Sequence, residues 1–206
     1  MKTVLIVYFV FLSFFHLTGQ STSSEFYDRY SAAIESGQYQ SGIAIAQEWK
    51  DQFQSEVKAY YYAAVACAKT GRKTQAIQNL EKALLIDSTH VPSLISLAEL
   101  SKRSSGRKSL LLYEKLLAIN PANAYFYREA AETAVDAQKF DKAIAYYSMA
   151  YQMDSLDLIT LTGFCQLLVD FKQFADADSL LNRAIELDPS NRYARLTKAK
   201  LAFAAE

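Results

Sequence analysis

A period of about 34 residues constrains this chain more than any other feature of its sequence. The segment 124–157 aligns with the segment after it when the sequence is shifted by 34 residues, and with residues 57–90 when it is shifted back by 67. Small residues recur at matching places, as Ala143 and its counterpart Ala177 illustrate. A fixed period of this length is typical of stacked supersecondary units, each too small to bury its own apolar face.

Within each copy, small residues recur where two helices must approach closely, and larger residues fill the space between them. Positions 130, 131 and 134 are alanines on the expected first helix, and Tyr127, Phe140 and Tyr147 are the large residues. This pattern resembles the tetratricopeptide repeat, a helix–turn–helix unit of about 34 residues. The resemblance implies an all-α fold, a right-handed α-solenoid of about five helix-turn-helix units with a C-terminal capping helix.

The period also predicts the boundaries of the domain. We expect a signal peptide at residues 1–19, a short leader at 20–22 and the repeat domain over 23–206. The repeat units are expected at 23–56, 57–90, 91–123, 124–157 and 158–191, with the capping helix at 192–206, which makes eleven helices. A helical array needs such a cap because its last unit otherwise exposes an apolar face.

The first residues of the chain indicate export. One basic residue, Lys2, precedes an apolar run from Val4 to Leu17, and small and polar residues follow from Thr18. As a helix this run would span about 21 Å, which is short of the roughly 30 Å core of a bilayer. A signal peptide cleaved after Gly19 fits this pattern and predicts a periplasmic or secreted chain with no membrane span. The alternative is an uncleaved membrane anchor.

Composition and motifs argue against several classes of function. The chain has 22 Lys and Arg against 22 Asp and Glu, and this zero net charge argues against a nucleic-acid partner. His90 is the one histidine after residue 19, and we find no nucleophile elbow, phosphate-binding Gly-rich loop or paired His–Glu helix motif. Asp136 and Asp170 recur one unit apart and are expected to be solvated rather than an acid/base pair. We therefore expect no enzymatic activity and no cofactor.

The two cysteines, Cys67 and Cys165, occupy small-residue positions of the expected core in separate units. Stacked units hold them too far apart for a disulfide, which needs Cα atoms within about 7 Å of each other. Two cysteines and one histidine also do not make a zinc site. We expect buried free thiols and no metal site.

The tyrosines carry the most information about binding. The chain has 14 tyrosines and 12 phenylalanines, more than its apolar seams need. In the run Tyr60, Tyr61 and Tyr62, successive side chains point about 100° apart around a helix, so one core face cannot take all three. If Tyr60 and Tyr127 are core residues, their neighbours point elsewhere.

In the resembled family, the face one step from the core seam on each first helix lines a concave groove, which commonly binds an extended peptide or a partner helix. The resemblance places these residues in that groove: Tyr27, Ile34, Lys58, Tyr61, Val65, Ile95, Glu99, Lys102, Tyr125, Arg128, Glu132, Thr162 and Gln166. Exposed aromatic residues interleaved with Lys and Arg are typical of interface anchors. The alternative is that each tyrosine shields neighbouring helices while its hydroxyl stays in water.

The family's peptide-carboxylate clamp, which uses Lys and Asn at adjacent groove positions, is not expected in this chain. Tyr27, Asp28 and Ser31 occupy those positions in the first unit. A basic cluster at 102–108 spans the shortened turn of the third unit. We expect a solvated turn whose first two charges favour a helix C-terminus, with contact to an anion or an acidic partner as the alternative.

The first unit and the last helix depart from the repeat pattern. Gly42 and Trp49 stand where the other units have alanine, which suggests either looser packing at that end or the packing of a terminal, capping unit. In the last helix, Leu196, Ala199 and Phe203 are expected on one side, facing the array.

The function expected from these features is a non-catalytic protein–protein interaction module, an exported adaptor that binds a peptide or protein partner in its groove. A structural subunit of a cell-envelope or secretion assembly, which uses its edges and cap, is the first alternative. Carbohydrate binding through groove tyrosines is the second alternative.

Overall fold

The structure is a computed structural model that describes residues 22–204, with side chains from 22 to 202. The expected signal peptide at 1–19, most of the leader and the side chain of Phe203 lie outside the described residues. Residues 22–204 form eleven helices and no strand, which confirms the predicted all-α fold. The helices are α1 (Ser23–Glu35), α2 (Tyr39–Gln52), α3 (Val57–Lys69), α4 (Lys73–Ile86), α5 (Val91–Lys102), α6 (Gly106–Ile119), α7 (Ala124–Asp136), α8 (Phe140–Met153), α9 (Leu158–Asp170), α10 (Phe174–Leu187) and α11 (Arg192–Ala204).

The chain divides into two compact units, one up to Ser88 and one from Thr89. The first unit holds the hairpins α1–α2 and α3–α4, and the second holds α5–α6, α7–α8, α9–α10 and the single helix α11. Within each unit every helix packs against the next one in sequence. This nearest-neighbour packing is the one a helical repeat requires.

The core of the first unit is built around Trp49, which is fully buried. Its ring stacks on Phe26 with 6.2 Å between centroids and on Tyr62 with 5.8 Å. Its indole Nε1 donates to the Glu56 carboxylate at 3.3 Å. The prediction of looser packing at this end is therefore wrong, because the large indole fills space that the aromatic side chains around it enclose. Gly42 fits this arrangement, since a Cβ there would lie 2.8 Å from Ile34 Cδ1.

In the fourth hairpin the buried aromatic residue of the first helix is Phe126, whereas Tyr127 is half-buried and rests on Tyr146 at 6.1 Å between centroids. Tyr60 is half-buried as well. The condition that Tyr60 and Tyr127 are core residues is therefore not met, because both side chains are only half-buried. Phe126 shares one helical face with Ala130, four residues on, and its ring has no hydroxyl that requires water.

Four hairpin turns place one residue in the left-handed region two positions after the last residue of the first helix. Two of these residues are glycines, Gly37 with φ +73° and Gly71 with φ +74°, and two are not, Gln138 with φ 57° and Lys172 with φ 58°. The third hairpin differs, because α5 has 12 residues where the other first helices of hairpins have 13. Its second helix starts instead with Ser105 as N-cap, whose hydroxyl accepts from the Lys108 amide.

The last helix faces the array with a different side from the one predicted. Ala194 is fully buried and packs with Leu161 and Ala177, and Leu201 is half-buried against the same cluster. Leu196 is 53% exposed and Ala199 is exposed, so the prediction for these two residues is wrong. The N-cap contact of Asn191 to the Ala194 amide, at 3.0 Å, confirms the predicted helix start and fixes the rotation of the helix.

Candidate functional site

All thirteen predicted groove residues lie on first helices of hairpins. The structure places them in two groups, because five belong to α1 and α3 of the first unit and eight to α5, α7 and α9 of the second. Each group is described within its own unit.

In the first unit, the predicted residues Tyr27 and Tyr61 both pack on Tyr62. The Tyr27 and Tyr62 ring centroids are 5.2 Å apart, and those of Tyr61 and Tyr62 are also 5.2 Å apart. Tyr62 in turn rests on the buried Tyr30 at 5.0 Å. Burial of the phenol, with neighbouring tyrosines as a further cause, raises the pKa of Tyr62. Tyr27 and Tyr61 are thus held in place by Tyr62, which itself packs on the buried Tyr30.

The other predicted residues of the first unit differ in role. Ile34 is half-buried and packs against the core cluster of Tyr30 and Ala46, so the structure assigns it to packing. Val65 is half-buried, and Lys58 is exposed.

In the second unit, charged groups form a network across three hairpins. Arg128 Nη1 donates to the Asp157 carboxylate at 2.8 Å, and Nη2 donates to Glu129 at 3.3 Å. Lys102 Nζ reaches Glu129 at 3.1 Å and Glu132 at 2.5 Å. The side chains of Arg128 and Glu129 are 15% and 13% exposed. Ion pairs with this little solvent have defined geometry and are costly to break from one side.

The protonation of this network follows from its contacts. Burial disfavours the charged form of Asp157, but hydrogen bonds from Arg128, Thr160 and the Ile159 amide outweigh it and lower the pKa of Asp157. Burial likewise opposes the charge of Lys102, and its contacts with Glu132 and Glu129 raise the pKa of Lys102. Both groups are therefore charged at neutral pH.

Tyr125 lies on top of this network. The Arg128 guanidinium carbon is 5.1 Å from the centroid of the Tyr125 ring, and the Tyr125 hydroxyl is 3.4 Å from Glu99 Oε1. Burial of the phenol, followed by the charges of Glu129 and Glu99, raises the pKa of Tyr125. Three predicted residues, Glu99, Tyr125 and Arg128, are thus brought together.

The fifth hairpin contributes less than predicted. Gln166 is exposed and accepts a hydrogen bond from the Tyr193 hydroxyl at 2.6 Å. The Thr162 hydroxyl donates to the Leu158 carbonyl at 2.8 Å, so it is used within its own helix. Ile95, in the third hairpin, is half-buried.

Sequence reasoning missed four residues of these surfaces: Tyr62, Glu129, Asp157 and Tyr193. Tyr193 carried a signal, because it follows Tyr125 by two repeat periods. Asp157 carried a weaker sequence signal, because an acidic residue directly before a helix is a candidate N-cap. In the structure its carboxylate accepts from the Ile159 amide at 3.1 Å. Nothing in the sequence indicated that Asp157 pairs with Arg128, because that contact joins two hairpins.

Part of the basic cluster at 102–108 takes part in this charged network. Lys102, in the last turn of α5, is held by Glu129 and Glu132, and Arg103 is exposed. Arg103 is exposed as expected of a solvated turn, whereas Lys102 is half-buried and paired with carboxylates of the same chain.

The described part of the chain offers little for catalysis. No group of three or more His, Cys, Asp or Glu side chains that could hold a metal ion occurs in it. Cys67 and Cys165 are buried free thiols, as predicted. Asp136 and Asp170 are both exposed, as expected of solvated positions. Across the described residues no helix is both long and apolar enough to cross a membrane.

Two family models of the tetratricopeptide repeat match this chain, one over residues 57–90 and one over residues 100–157. Among curated proteins, tetratricopeptide repeat protein 21B of Xenopus laevis is 27% identical over 94 residues, which are 45% of this chain. The chain matches 7% of the length of that relative.

Solved structures show the same fold. YrrB, described as a TPR protein with an unusual peptide-binding site, superposes with a TM-score of 0.76 at 14% identity, over 86% of this chain and 92% of that one. Residues 41 to the end of MamA from Desulfovibrio magneticus RS-1 superpose with a TM-score of 0.73 at 16% identity, over 82% of this chain and 97% of that one. The chain therefore contains tetratricopeptide repeats and has the all-helical fold of tetratricopeptide-repeat proteins.

Proposed function

We propose that this chain is a non-catalytic protein–protein interaction module that binds an extended peptide or a protein partner through exposed residues on the first helices of its hairpins and on α11. The observation that carries the proposal is a set of tyrosines that are exposed and yet held in place. Tyr27, Tyr125 and Tyr193 are 43%, 37% and 36% exposed. Each is fixed by a neighbour: Tyr62, Arg128 and Gln166 respectively.

Fixed exposed tyrosines suit partner binding because binding otherwise costs the free energy of ordering side chains. Tyr125 rests on Arg128, which is itself held by Asp157 and Glu129. A tyrosine ring supplies a large contact area with few rotatable bonds and a hydroxyl for hydrogen bonding. The ion pairs of Arg128 thus provide a rigid support on which the Tyr125 ring is presented to a partner.

Exposed polar groups beside the anchors would select the partner. Glu99 is exposed next to Tyr125, Gln166 is exposed next to Tyr193, and Lys58 is exposed on α3. Charges at the rim of an interface contribute specificity and association rate more than affinity. YrrB, with the same fold, is described as having a peptide-binding site, which supports a peptide as the class of partner.

We also propose that the chain is exported, on the basis of the charged start, the short apolar run and the small-residue exit of residues 1–19. Expression of the full chain with a C-terminal tag, followed by fractionation and mass spectrometry of the N-terminus, tests this part. A mature N-terminus near Gln20 in an extracytoplasmic fraction supports export. An intact Met1 in the cytoplasm contradicts it.

A quantitative capture experiment tests the binding face. A partner purified by binding to the wild-type chain is titrated against Tyr125→Ala/Tyr193→Ala and against Phe171→Ser/Phe174→Ser. The four residues are similarly exposed aromatics, but the two phenylalanines lie at the turn of the fifth hairpin. We expect the tyrosine pair to weaken binding at least about tenfold and the phenylalanine pair to leave it unchanged.

The reverse result would favour the second candidate, a structural subunit that binds through its edges. The observation in favour of that candidate is the aromatic cluster at the hairpin turns, where Phe140 and Phe171 have centroids 4.9 Å apart and Phe171 and Phe174 are exposed.

A further inference from the structure

The first unit contains a cleft that the proposed binding face does not use. It has a volume of about 910 Å³ and lies between the second helices α2 and α4, with α3 as its floor. Ala63 and Cys67 belong to the floor, and the walls carry three basic residues, Lys50, Arg72 and Lys82, and one acidic residue, Glu81.

The second unit offers an internal comparison. Helices α2, α3 and α4 have the same lengths and spacing as α8, α9 and α10, so each cleft residue has a counterpart. The cleft between α8 and α10 has a volume of about 300 Å³. Phe164 and Leu168 line it at the positions of Ala63 and Cys67. The equivalent cleft is thus nearly filled by side chains in the second unit and open in the first.

Aromatic packing explains the difference in volume. In the second unit, Phe164 stacks on Tyr147 with 5.6 Å between centroids, and the neighbouring Gly163 leaves room for the Tyr147 ring. In the first unit, Tyr62 stands at the position of Gly163 and is part of the cluster around Trp49. In the first unit the aromatic side chain therefore packs in the core instead of filling the cleft, and the cleft stays open.

The charge of the two clefts differs as well. Arg183, the counterpart of Lys82, pairs with Glu186 at 3.0 Å. The residue at the position of Glu186 in the first unit is Leu85, which is exposed and cannot pair with Lys82. Arg183 thus has an ion-pair partner in the second unit, whereas Lys82 makes no ion pair with another side chain of residues 22–202.

Lys50 and Arg72 are also without a carboxylate partner among residues 22–202. Lys50 Nζ donates to the Asn79 side-chain oxygen at 3.0 Å, and Arg72 Nη2 donates to the Gln40 side-chain oxygen at 2.7 Å. Burial lowers the pKa of Lys50, and the nearby charge of Lys82 also lowers it, whereas Cys67 and Asp51 oppose the shift without reversing it. The cleft therefore holds a partly desolvated cation that gains from an incoming anion.

We propose that this cleft binds an acidic peptide segment, whose carboxylates pair with Lys50, Arg72 and Lys82. Between the cations the walls carry carboxamides, among them Gln47, Gln75 and Gln78. A carboxamide both donates and accepts hydrogen bonds, as a peptide backbone does, whereas a phosphate ion would use donors only. The carboxamides thus favour a peptide over inorganic phosphate.

The spacing of the cations specifies the peptide further. Arg72 precedes the first residue of α4, and Lys82 lies ten residues later. Ten residues of α-helix rise about 15 Å, which an extended peptide covers in four to five residues. The ligand class is therefore a short segment with acidic residues at both ends and small polar residues between them.

Fluorescence anisotropy with synthetic peptides tests this proposal. The probe is an acetylated, amidated, dye-labelled peptide, Glu-Glu-Ser-Ala-Ser-Glu-Glu, and its control has glutamine at all four glutamate positions. One variant, Lys50→Tyr/Arg72→Gln/Asn79→Leu, carries the counterpart residues Tyr151, Gln173 and Leu180, which the fold already accommodates. The other variants are Lys82→Gln in this cleft and, as a matched control, Arg183→Gln at the equivalent position of α10.

We expect the glutamate peptide to bind at least about tenfold more tightly than the glutamine peptide, and less tightly as salt is added. The triple variant and Lys82→Gln should weaken binding, whereas Arg183→Gln and Tyr125→Ala/Tyr193→Ala should not. The last variant separates this cleft from the face proposed above. Equal binding of the two peptides, or equal loss with Arg183→Gln, overturns the proposal. So does binding of an oligogalacturonate or inorganic phosphate with the same variant pattern and no binding of the peptide.

Discussion

Arg128 Nη1 lies 2.8 Å from the Asp157 carboxylate, a contact that joins helix α7 of the fourth hairpin to the start of α9 in the fifth. Asp157 also accepts from the Ile159 amide at 3.1 Å and from the Thr160 hydroxyl at 2.7 Å. One carboxylate therefore caps a helix, orders a threonine and holds the arginine on which Tyr125 rests.

Replacing Asp157 with asparagine removes the negative charge of this contact and leaves one acceptor oxygen in place of two. Asparagine caps helices about as well as aspartate, so the variant Asp157→Asn keeps the cap and leaves Arg128 without one of its two counter-ions. We expect a loss of about 1–3 kcal/mol in the free energy of unfolding, measured by urea denaturation. The exposed Asp141, replaced in the same way, should change it by less than about 0.5 kcal/mol.

The same pair predicts a dependence of stability on pH. Because the pKa of Asp157 is lowered in the fold, its contribution is complete above the ordinary aspartate pKa of about 4 and is lost as the pH falls through the lowered value. The free energy of unfolding of the wild type should therefore fall more steeply below about pH 4 than that of Asp157→Asn. Parallel curves for the two proteins would contradict the assignment.

The left-handed turn residues predict a stabilising substitution. Lys172 has φ 58° at the place where the first two hairpins have glycine. Lys172→Gly should raise the free energy of unfolding by about 0.5–1 kcal/mol, because glycine adopts this conformation without steric cost. Gly71→Ala is the converse test: a Cβ there would meet nothing within 4 Å, so a loss of about 1 kcal/mol would arise from the backbone alone. No gain for Lys172→Gly would show that the turn is not strained.

Gly163 and Tyr147 predict a coupled pair of substitutions. A Cβ at Gly163 would lie 2.5 Å from the Tyr147 hydroxyl oxygen and 3.0 Å from Cζ. Gly163→Ala should therefore cost about 1–3 kcal/mol, since the buried ring has little room to move. Adding Tyr147→Phe removes the oxygen and should recover part of that loss in a double-mutant cycle. Strict additivity would mean that the two residues do not collide.

Tyr62 and Tyr27 predict different effects on stability and on binding. Tyr62 contacts four aromatic rings, so Tyr62→Ala should cost about 3 kcal/mol, measured through the fluorescence of Trp49, the one tryptophan of the chain. Tyr27 is exposed, so Tyr27→Ala should cost about 1 kcal/mol or less and act mainly on partner binding. Similar losses of stability for both variants would contradict the assignment of Tyr62 to support of the fold and of the exposed tyrosine to partner binding.

The helices and their order were predictable because they depend on local periodicity and on small residues that recur. The left-handed glycines Gly37 and Gly71 and the N-cap Asn191 likewise act within a few residues of the chain. Choices between adjacent residues were less predictable. Phe126 rather than Tyr127 is buried, and the last helix turns Ala194 rather than Leu196 inwards, because packing against neighbouring hairpins decides a helix rotation.

The candidate site was only partly predictable, for a related reason. The period placed Tyr27, Tyr61 and Tyr125 on first helices, since all copies share one helical phase. It could not identify the Arg128–Asp157 pair or the open cleft beside Lys50, because both depend on side chains from separate helices. Deviations from the repeat, such as Ala63 for Phe164, become informative only when the two clefts are compared in space.

The most direct test of partner binding by the first-helix face is residue-resolved photo-crosslinking. A benzophenone amino acid is placed at Tyr125 or Tyr193 and, as a control in the same unit, at Lys115 or Gln152, exposed residues of second helices. We expect crosslinks to the bound partner from the two tyrosine positions and none from the control positions. Crosslinks from Lys115 or Gln152 alone would contradict it.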